Sequence, residues 1–413
     1  MSDDQAIQAV RATLKAERIQ PFKGDELEAV RSVESCINCG LCIGHCPVVR
    51  GVGVERFSGP RSIALELSRS PPEFWATADK VYLCTGCGTC REVCPKKVNV
   101  PEIVNLIRAR IFQQRPDLVP KPLLDVRDII VKHSLAFEPW EDPQEKAESR
   151  DTRVKALGLP SVPDRIVTGA DVLFYPGCQA EERAQEVKEA AKYILSYYGV
   201  NYTMLNRLTC CGLPSKLMGD DETARSLAGV LHDKVKSLAV KKIVTTCAGC
   251  TSNLSDISTR DGWGVPVYHL VEFLAEQVGF DKVSRPFKGR GRFSPPVKVT
   301  VHDPCHLIRH TSRQIVEHGR TILNFIPGVA VEESGLADSC CGGGGMVGYH
   351  SRDVADAVVR DNIAAISATE ADTLVAPCPL CTAQIESNLF RSGSTTEVED
   401  LSVFIARRLP QKR

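Results

Sequence analysis

The sequence predicts an α+β, multidomain chain in which an all-α, cysteine-rich N-terminal region precedes two copies of a small α/β unit built on a parallel sheet. Three observations predict it. Ten cysteines fall into two matching frames, Cys178, Cys210-Cys211, Cys247-x-x-Cys250 and Cys305, Cys340-Cys341, Cys378-x-x-Cys381, with thirty-one and thirty-four residues before the pair and thirty-five and thirty-six after it. Around each frame short apolar runs alternate with longer segments of helical periodicity, the pattern of strand–helix–strand units. The other eight cysteines form two C-x2-C-x2-C-x3-C-P runs among helical segments upstream.

Size and composition frame the rest. A chain of 413 residues supports two or three cores, and 43% apolar with 25% charged residues is ordinary for a globular protein. Basic and acidic residues balance at 51 each, which gives no reason to expect nucleic acid or an anionic membrane surface as partner. The first residues, Met1-Ser-Asp-Asp-Gln-Ala-Ile7, carry neither a basic nor an apolar leader, and no run of eighteen apolar residues follows. The expectation is a cytoplasmic protein with no membrane span of its own, associated with a membrane only through a partner subunit. All eighteen cysteines belong to clusters with metal-ligand spacing, a pattern of thiolates converging on metal rather than of a disulfide framework.

In chain order, Ile7, Val10 and Leu14, then Leu27, Val30 and Val33, predict two amphipathic helices. Cys36-x2-Cys39-x2-Cys42-x3-Cys46-Pro47 and Cys84-x2-Cys87-x2-Cys90-x3-Cys94-Pro95 then each match the run of a two-cluster ferredoxin, whose fourth cysteine ligates the other cluster. That assigns Cys36, Cys39, Cys42 and Cys94 to one [4Fe-4S] cubane and Cys84, Cys87, Cys90 and Cys46 to a second. Zinc prefers two CxxC halves separated by a longer loop, which two complete runs do not offer. Thirty-seven residues separate Cys46 from Cys84, and the insert reads as helix from Pro60 to Ser68. Another helix is expected at Glu102 to Gln114, opened by Pro101. The region resembles the helical ferredoxin domains of succinate dehydrogenase iron-sulfur subunits and of heterodisulfide reductase C-type subunits. Residues 1–114 are taken as this helical domain with its N-terminal arm.

Residues 115–168 read as a connector with a helix at Leu123 to Lys132 and Trp140 available for docking. In 169–280 a strand at Asp171 to Tyr175 runs into Pro176-Gly177-Cys178, followed by a long helix, Glu181 to Tyr198. A strand at Val200 to Leu205, a helix at Asp221 to Leu238 and a strand at Lys242 to Thr246 complete the unit. Residues 281–296 form a basic, Pro- and Gly-rich linker, and 297–413 repeat the order. Here the strands are Val297 to Val301, Val329 to Glu332 and Asp372 to Ala376, and the helices Arg309 to Leu323 and Ser351 to Thr369. Each cysteine group then sits at the C-terminal end of a strand, where open α/β sheets place ligands.

With both frames and both runs together, the sequence resembles the CCG-domain proteins, and in particular heterodisulfide reductase D-type subunits, in which a ferredoxin domain and two CCG repeats share one chain. The resemblance implies a noncubane [4Fe-4S] cluster held by five cysteines in each repeat. One set would be Cys178, Cys210, Cys211, Cys247 and Cys250, the other Cys305, Cys340, Cys341, Cys378 and Cys381, with Gly212 and Gly342 in the cluster loops. The function it implies is an oxidoreductase subunit carrying electrons through two cubanes to two noncubane clusters that reduce a disulfide to two thiols. The alternative is an electron-transfer subunit of a larger complex, serving a flavin-dependent 2-hydroxy acid or glycerol-3-phosphate dehydrogenase or a low-potential ring-reducing system. From about −400 mV for plant-type clusters to about −200 mV for a disulfide, the two-electron drop is about 9 kcal/mol, enough for either. Expected partners are a flavoprotein, a ferredoxin-type protein or a membrane cytochrome subunit, with a small disulfide or thiol as substrate.

Gly343-x-Gly345-x-x-Gly348 formally matches a dinucleotide fingerprint, but it follows Cys340-Cys341 rather than a strand and lacks the acidic partner. No flavin or nicotinamide site is expected, and the glycines read as a flexible cradle approaching a cluster or substrate. His302, His306 and His310, four apart, would share one helix face if a helix begins near Cys305, with His306 a candidate proton donor. His45, between two cluster ligands, is a candidate for tuning a potential.

Overall fold

The structure, a computed structural model, describes residues 3–16, 24, 26–66, 76–289 and 296–410. Residues 67–68, the expected end of one helix, and 290–295 of the expected linker lie outside them. The N-terminal region is all helix, with segments Asp3–Ala16, Leu27–Glu34, Pro47–Arg56, Pro60–Glu66 and Val100–Gln114. Proline at the first or second helical position opens three of these, where its missing N–H costs nothing. The core lies along Val100–Gln114, whose Ile103, Ile107 and Ile111, four apart, are fully buried with Phe57, Ile63 and Leu123. Burial of each such side chain stabilises the fold by about 1.5–3 kcal/mol.

Two four-stranded parallel sheets follow. The first comprises β1 (Val172–Tyr175), β2 (Tyr202–Thr203), β3 (Lys242–Thr245) and β4 (Val267–His269) in the order β2-β1-β3-β4. The second comprises β5 (Val297–Val301), β6 (Val329–Val331), β7 (Thr373–Ala376) and β8 (Glu397–Asp400) in the order β6-β5-β7-β8. The fold is therefore an all-helical ferredoxin-like region followed by a duplicated α/β unit with parallel sheets. β1 and β5 are buried in their C-terminal halves or throughout, as strands covered by helices on both faces must be. In each sheet the chain leaves the first strand to one side and returns on the other, so a crevice opens at the carboxyl ends of β1 and β3, and of β5 and β7. Cys178 and Cys247 follow the first pair, Cys305 and Cys378 the second.

The details depart from expectation in five places. The helix expected from Glu181 to Tyr198 is two, Cys178–Glu182 and Gln185–Tyr197. Donors from the connector explain the break: Trp140 Nε1 donates to the Glu182 carbonyl at 3.0 Å and Arg153 to the Arg183 carbonyl at 2.7 Å, occupying acceptors a continuous helix would use. The helix expected from Arg309 to Leu323 begins only at Gln314 and runs to Phe325, and a separate short helix, Cys305–Ile308, precedes it. A fourth strand closes each sheet, and a further helix, Pro143–Ala156, capped by Asp142, forms in the connector. The stretch after β4 is packed rather than free up to residue 289, with Val283 and Phe287 buried.

The helical region does not stand apart from the repeats. Helix Pro47–Arg56 lies on Arg352–Ser367 so closely that a Cβ on Gly51 would come within 2.9 Å of the Ala357 backbone, and Arg50 pairs with Asp361. Between the repeats, helix Gln185–Tyr197 packs on Leu401–Arg408.

Candidate metal centres

The first cysteine run curls because Gly40 and Gly88, at the same place in each run, take left-handed φ of +77° and +79° and start short helices at Leu41 and Thr89. These turns bring the two runs together crosswise. Burial raises the Cys42 thiol, and the charges felt next at its sulfur are those of Cys36, Cys94 and Cys39. Cys36, Cys39, Cys42 and Cys94 also line one small cavity of about 30 Å³, with Cys90 at its inner wall. Burial likewise raises Cys46, which feels Cys87 and Cys84, and Cys90, which feels Cys87, Cys84 and Cys46. Each run's fourth cysteine thus stands with the other run's first three. Cys39 is exposed beside exposed Ile37 and Leu41, whereas Cys46, Cys87 and Cys90 are buried.

All ten cysteines of the repeats are buried, and none of the chain's cysteines forms a disulfide. In the first repeat the thiols touch in sequence: Cys178 with Cys210, Cys210 with Cys211, Cys211 with Cys250, and Cys250 with Cys247. The second repeats this from Cys305 through Cys340, Cys341 and Cys381, with 3.4 Å between the last two sulfurs, to Cys378. The hydrogen bonds run unevenly along each row. Hydrogen bonding to neighbouring thiols pushes Cys210, Cys250, Cys305 and Cys381 well above the ordinary thiol range and pulls Cys247, Cys340 and Cys341 down. Five buried thiols in contact cannot all ionise by themselves; a bound cation reverses that, because a coordinating thiol is deprotonated outright. The donor set therefore fits an iron-sulfur group in each repeat.

Two contacts link the sets. Cys247 of the first repeat meets Cys378 of the second, across the facing carboxyl ends of β3 and β7. Cys340 meets Cys87 of the helical region, and its sulfur lies 3.5 Å from Thr85 Oγ1. The cysteines thus form one continuous path, from the exposed run through the buried one to the second repeat and then the first.

Gly212 and Gly342, after each cysteine pair, have φ of +87° and +80°, and the Gly342 N–H donates to Cys340 Sγ at 3.4 Å. The glycine stretch beyond is a close-packed joint rather than an open cradle. A Cβ on Gly344 would lie 2.5 Å from the Thr85 carbonyl oxygen, and one on Gly345 2.1 Å from that of Cys84.

The three histidines do not share a helix face. His302 follows β5 directly and is buried, with Asn362 donating to its Nδ1 at 3.3 Å and its Nε2 without a partner; a ligand atom of its ring lies within 4.8 Å of the Cys341 and Cys381 sulfurs. His306 and His310 stack on one another, with ring centroids 4.8 Å apart. His306 Nδ1 meets Ser252 Oγ at 2.9 Å, and His310 Nε2 donates to the Gly86 carbonyl at 2.9 Å. Burial lowers His306 and takes His310 to about 3, so both rings are neutral at physiological pH. They line a cavity of about 610 Å³ where the helical region and both repeats meet, with Arg91, Lys216, Ser252 and Arg309 among its walls. Ser252 and His306 stand two residues and one residue from Cys250 and Cys305, so this cavity approaches both cysteine sets. His45 is exposed and bonds the Leu41 carbonyl at 3.0 Å.

Arg108, Thr85, Lys216 and Ser252 were not among the expected site residues. Only Arg108 left a trace in the sequence: it stands four residues after Val104, on a stripe that is otherwise apolar.

Comparison with known proteins agrees with this geometry. The cysteine-rich domain family, CCG, matches residues 172–255 and 299–386, and the 4Fe-4S dicluster domain family matches residues 32–98. The chain is 29% identical over 380 residues to an uncharacterized iron-sulfur protein of Methanococcus maripaludis, covering 88% of this chain and 69% of that protein. It is 26% identical over 432 residues to the D-type subunit of the dihydromethanophenazine:CoB–CoM heterodisulfide reductase of Methanosarcina barkeri, covering 95% of this chain and 98% of that one. A crystal structure of a hypothetical protein from Helicobacter pylori superposes with a TM-score of 0.52 at 9% identity, covering 98% of this chain and 77% of the other, a likeness of fold. Among the described residues, no helix is long and apolar enough to cross a membrane.

Proposed function

We propose, from the premise that this chain is a CCG-type, 4Fe-4S iron-sulfur protein acting as an oxidoreductase or electron-transfer subunit, that it reduces a disulfide to two thiols with electrons received from a partner protein. The ligands are those of the two runs and two frames. Cys36, Cys39, Cys42 and Cys94 hold one cubane and Cys46, Cys84, Cys87 and Cys90 the other. Cys178, Cys210, Cys211, Cys247 and Cys250, and Cys305, Cys340, Cys341, Cys378 and Cys381, hold the two noncubane clusters. Bound there, the clusters supply single electrons, of which a disulfide needs two together with two protons. The observation that carries the reading is the meeting of Cys247 with Cys378: two complete five-thiol sets face one another, as two sulfurs released from one disulfide require. Similarity over nearly the whole length to a heterodisulfide reductase component supports it.

The chain's own residues give this chemistry its setting. Ile37 and Leu41 frame the exposed Cys39, an apolar rim that receives a partner flavoprotein, ferredoxin or membrane cytochrome. The junction cavity admits the disulfide, its walls carrying both cations, Arg91 and Lys216, and carboxylates, Glu102 and Asp256. Neutral His306, with Ser252 Oγ at 2.9 Å, passes a proton toward a departing thiolate, taking one at one nitrogen as it releases one at the other.

Iron and sulfide analysis of anaerobically prepared protein tests the ligand sets: about sixteen irons are expected from four four-iron centres, and about eight would sink the repeats' clusters. Oxidation in the presence of candidate thiols then tests the chemistry. A thiol-dependent paramagnetic signal broadened by iron-57 is expected. No thiol effect with sixteen irons present would leave electron transfer to a partner protein as the function.

A further inference from the structure

Arg108 is fully buried at the point where the helical region and both repeats meet. All five of its N–H donors are used, and every acceptor is a main-chain carbonyl. Nε donates to Val81 at 3.2 Å, one terminal nitrogen to Leu217 at 2.8 Å and Gly345 at 3.3 Å, and the other to Val81 at 2.8 Å and Cys84 at 2.7 Å. Val81 and Cys84 belong to the helical region, Leu217 to the first repeat and Gly345 to the second. The backbone closes in to match: a Cβ on Gly219 would sit 2.3 Å from the Arg108 carbonyl oxygen. The Tyr82 ring covers the guanidinium at 5.3 Å, and its hydroxyl donates to the Met218 carbonyl at 3.2 Å.

Among the described residues no carboxylate pairs with this guanidinium. The interactions that favour its charge come from the Cys84 sulfur and the Tyr82 ring. A guanidinium is always charged in a protein, and a buried charge without a counter-ion is costly even when every donor is satisfied. The missing negative charge is available in one place, the sulfurs of Cys46, Cys84, Cys87 and Cys90, which are anionic once they hold metal.

We propose that Arg108 sets the reduction potential of the cluster held by these four cysteines, as the buried counter-ion that favours the added electron, while its five bonds register the three units around it. The inference rests on the ligand assignment above. A fixed cation beside a redox group stabilises the reduced form, and dry surroundings strengthen the effect. The cavity of the other cubane has Arg61 and Lys96 on its own walls and none of the residues whose carbonyls Arg108 binds, so Arg108 acts on the inner cluster.

The test is a potentiometric titration followed by electron paramagnetic resonance on the full chain, with Arg108→Gln, Arg108→Met and Arg108→Lys. Removing the charge is expected to shift the inner cubane to lower potential by at least a tenfold change in its reduced-to-oxidised ratio, about 59 mV for one electron. The outer cubane stays put as internal control, and Arg108→Lys stays near the parent. An unmoved inner potential in a fully iron-loaded Arg108→Gln protein overturns the proposal. If the neutral variants fail to load iron, Arg108→Lys decides: a loaded protein near the parent potential sustains the charge argument, and one as empty as Arg108→Gln refutes it. If the parent itself lacks the cubane, the ligand assignment has failed instead.

Discussion

Replacing Gly345 by alanine probes the joint on which the proposed path depends. Gly345 has φ of +65°, and its Cβ would lie 2.1 Å from the Cys84 carbonyl oxygen and 2.8 Å from the Thr85 Cα. Ordinary contact needs roughly 1 Å more, and the obstacle is main chain, which cannot swing aside as a side-chain tip would. Gly393 is the matched control, with φ of +75° and nothing within 4 Å of a Cβ. Gly393→Ala therefore loses only the left-handed preference, about 1–2 kcal/mol, whereas Gly345→Ala adds an overpacking cost of about 1–3 kcal/mol. The clash also pushes Thr85 away from the Cys340 sulfur, now 3.5 Å from its hydroxyl, and opens the contact of Cys340 with Cys87. Anaerobic thermal unfolding should show Gly345→Ala with the lower Tm of the two, and stopped-flow reduction should show slower arrival of electrons at the repeats with the cubanes still reducible. A Gly345→Ala protein as stable as Gly393→Ala, with unchanged electron delivery, would refute both the packing argument and the route through this joint.

Two further outcomes follow. His306→Gln should keep its full iron complement and reducible cubanes yet lose about 10²–10⁴-fold in disulfide turnover, because a glutamine cannot pass a proton; turnover equal to the parent's would remove His306 from the mechanism. Asp400, buried at the start of helix Leu401–Arg408, has its carboxyl raised by burial to about 7, while its oxygen accepts from the Ser402 N–H at 2.8 Å. Below about pH 4 the group is protonated folded or unfolded and costs nothing; between about 4 and 7 only the unfolded chain releases the proton, so stability falls as pH rises and levels off above 7. The full cost is about 4 kcal/mol at most, for a rise of about three pKa steps. Asp400→Asn keeps the acceptor and removes the charge, so Tm measured from pH 5 to pH 8 should fall less steeply than in the parent; equal slopes would show that the carboxyl is not strained.

What the sequence disclosed and what it hid divide along a physical line. Helix Asp221–Leu238 and strand Val297–Val301 have the bounds that periodicity predicts, since each carries its whole signal within itself. The spacing of the two runs likewise predicts the crosswise sharing of Cys46 and Cys94 that the proposed cluster assignment uses. Strands β4 and β8, Val-Tyr-His and Glu-Val-Glu-Asp, are partly exposed and lack the continuous apolar run that marks β1 and β7. The break after Glu182 depends on Trp140 and Arg153, which no local reading of the helix contains. His302 and His306 are four apart in sequence yet face different surroundings, because His302 lies just past the end of β5 and the chain turns at Pro304 into the short helix that carries His306. Arg108 shows in the sequence only as a charge on an otherwise apolar stripe, and its setting emerges when three separate segments close over it.

The duplication itself produces the asymmetry on which function depends. The two cysteine frames give two rows of touching thiols, but the residues at matching places around them differ. Tyr175 ends β1 with its hydroxyl donating to the Thr209 carbonyl at 2.7 Å, and burial, then the neighbouring Cys211, Cys250, Cys178 and Cys210 sulfurs, hold its phenol well above the usual range. His302, just past the end of β5 at the matching place, has Nε2 unpartnered near Cys341 and Cys381. Cys210 sits under the connector, its N–H donating to the Ser134 carbonyl at 2.7 Å, whereas Cys340, its counterpart, abuts Cys87. Like ligands with unlike neighbours differ in potential and in access. On the proposed function the second repeat would stand next to the electron supply and the first at its far end, and the contact of Cys247 with Cys378, rather than either frame alone, would decide whether two electrons can meet at one substrate.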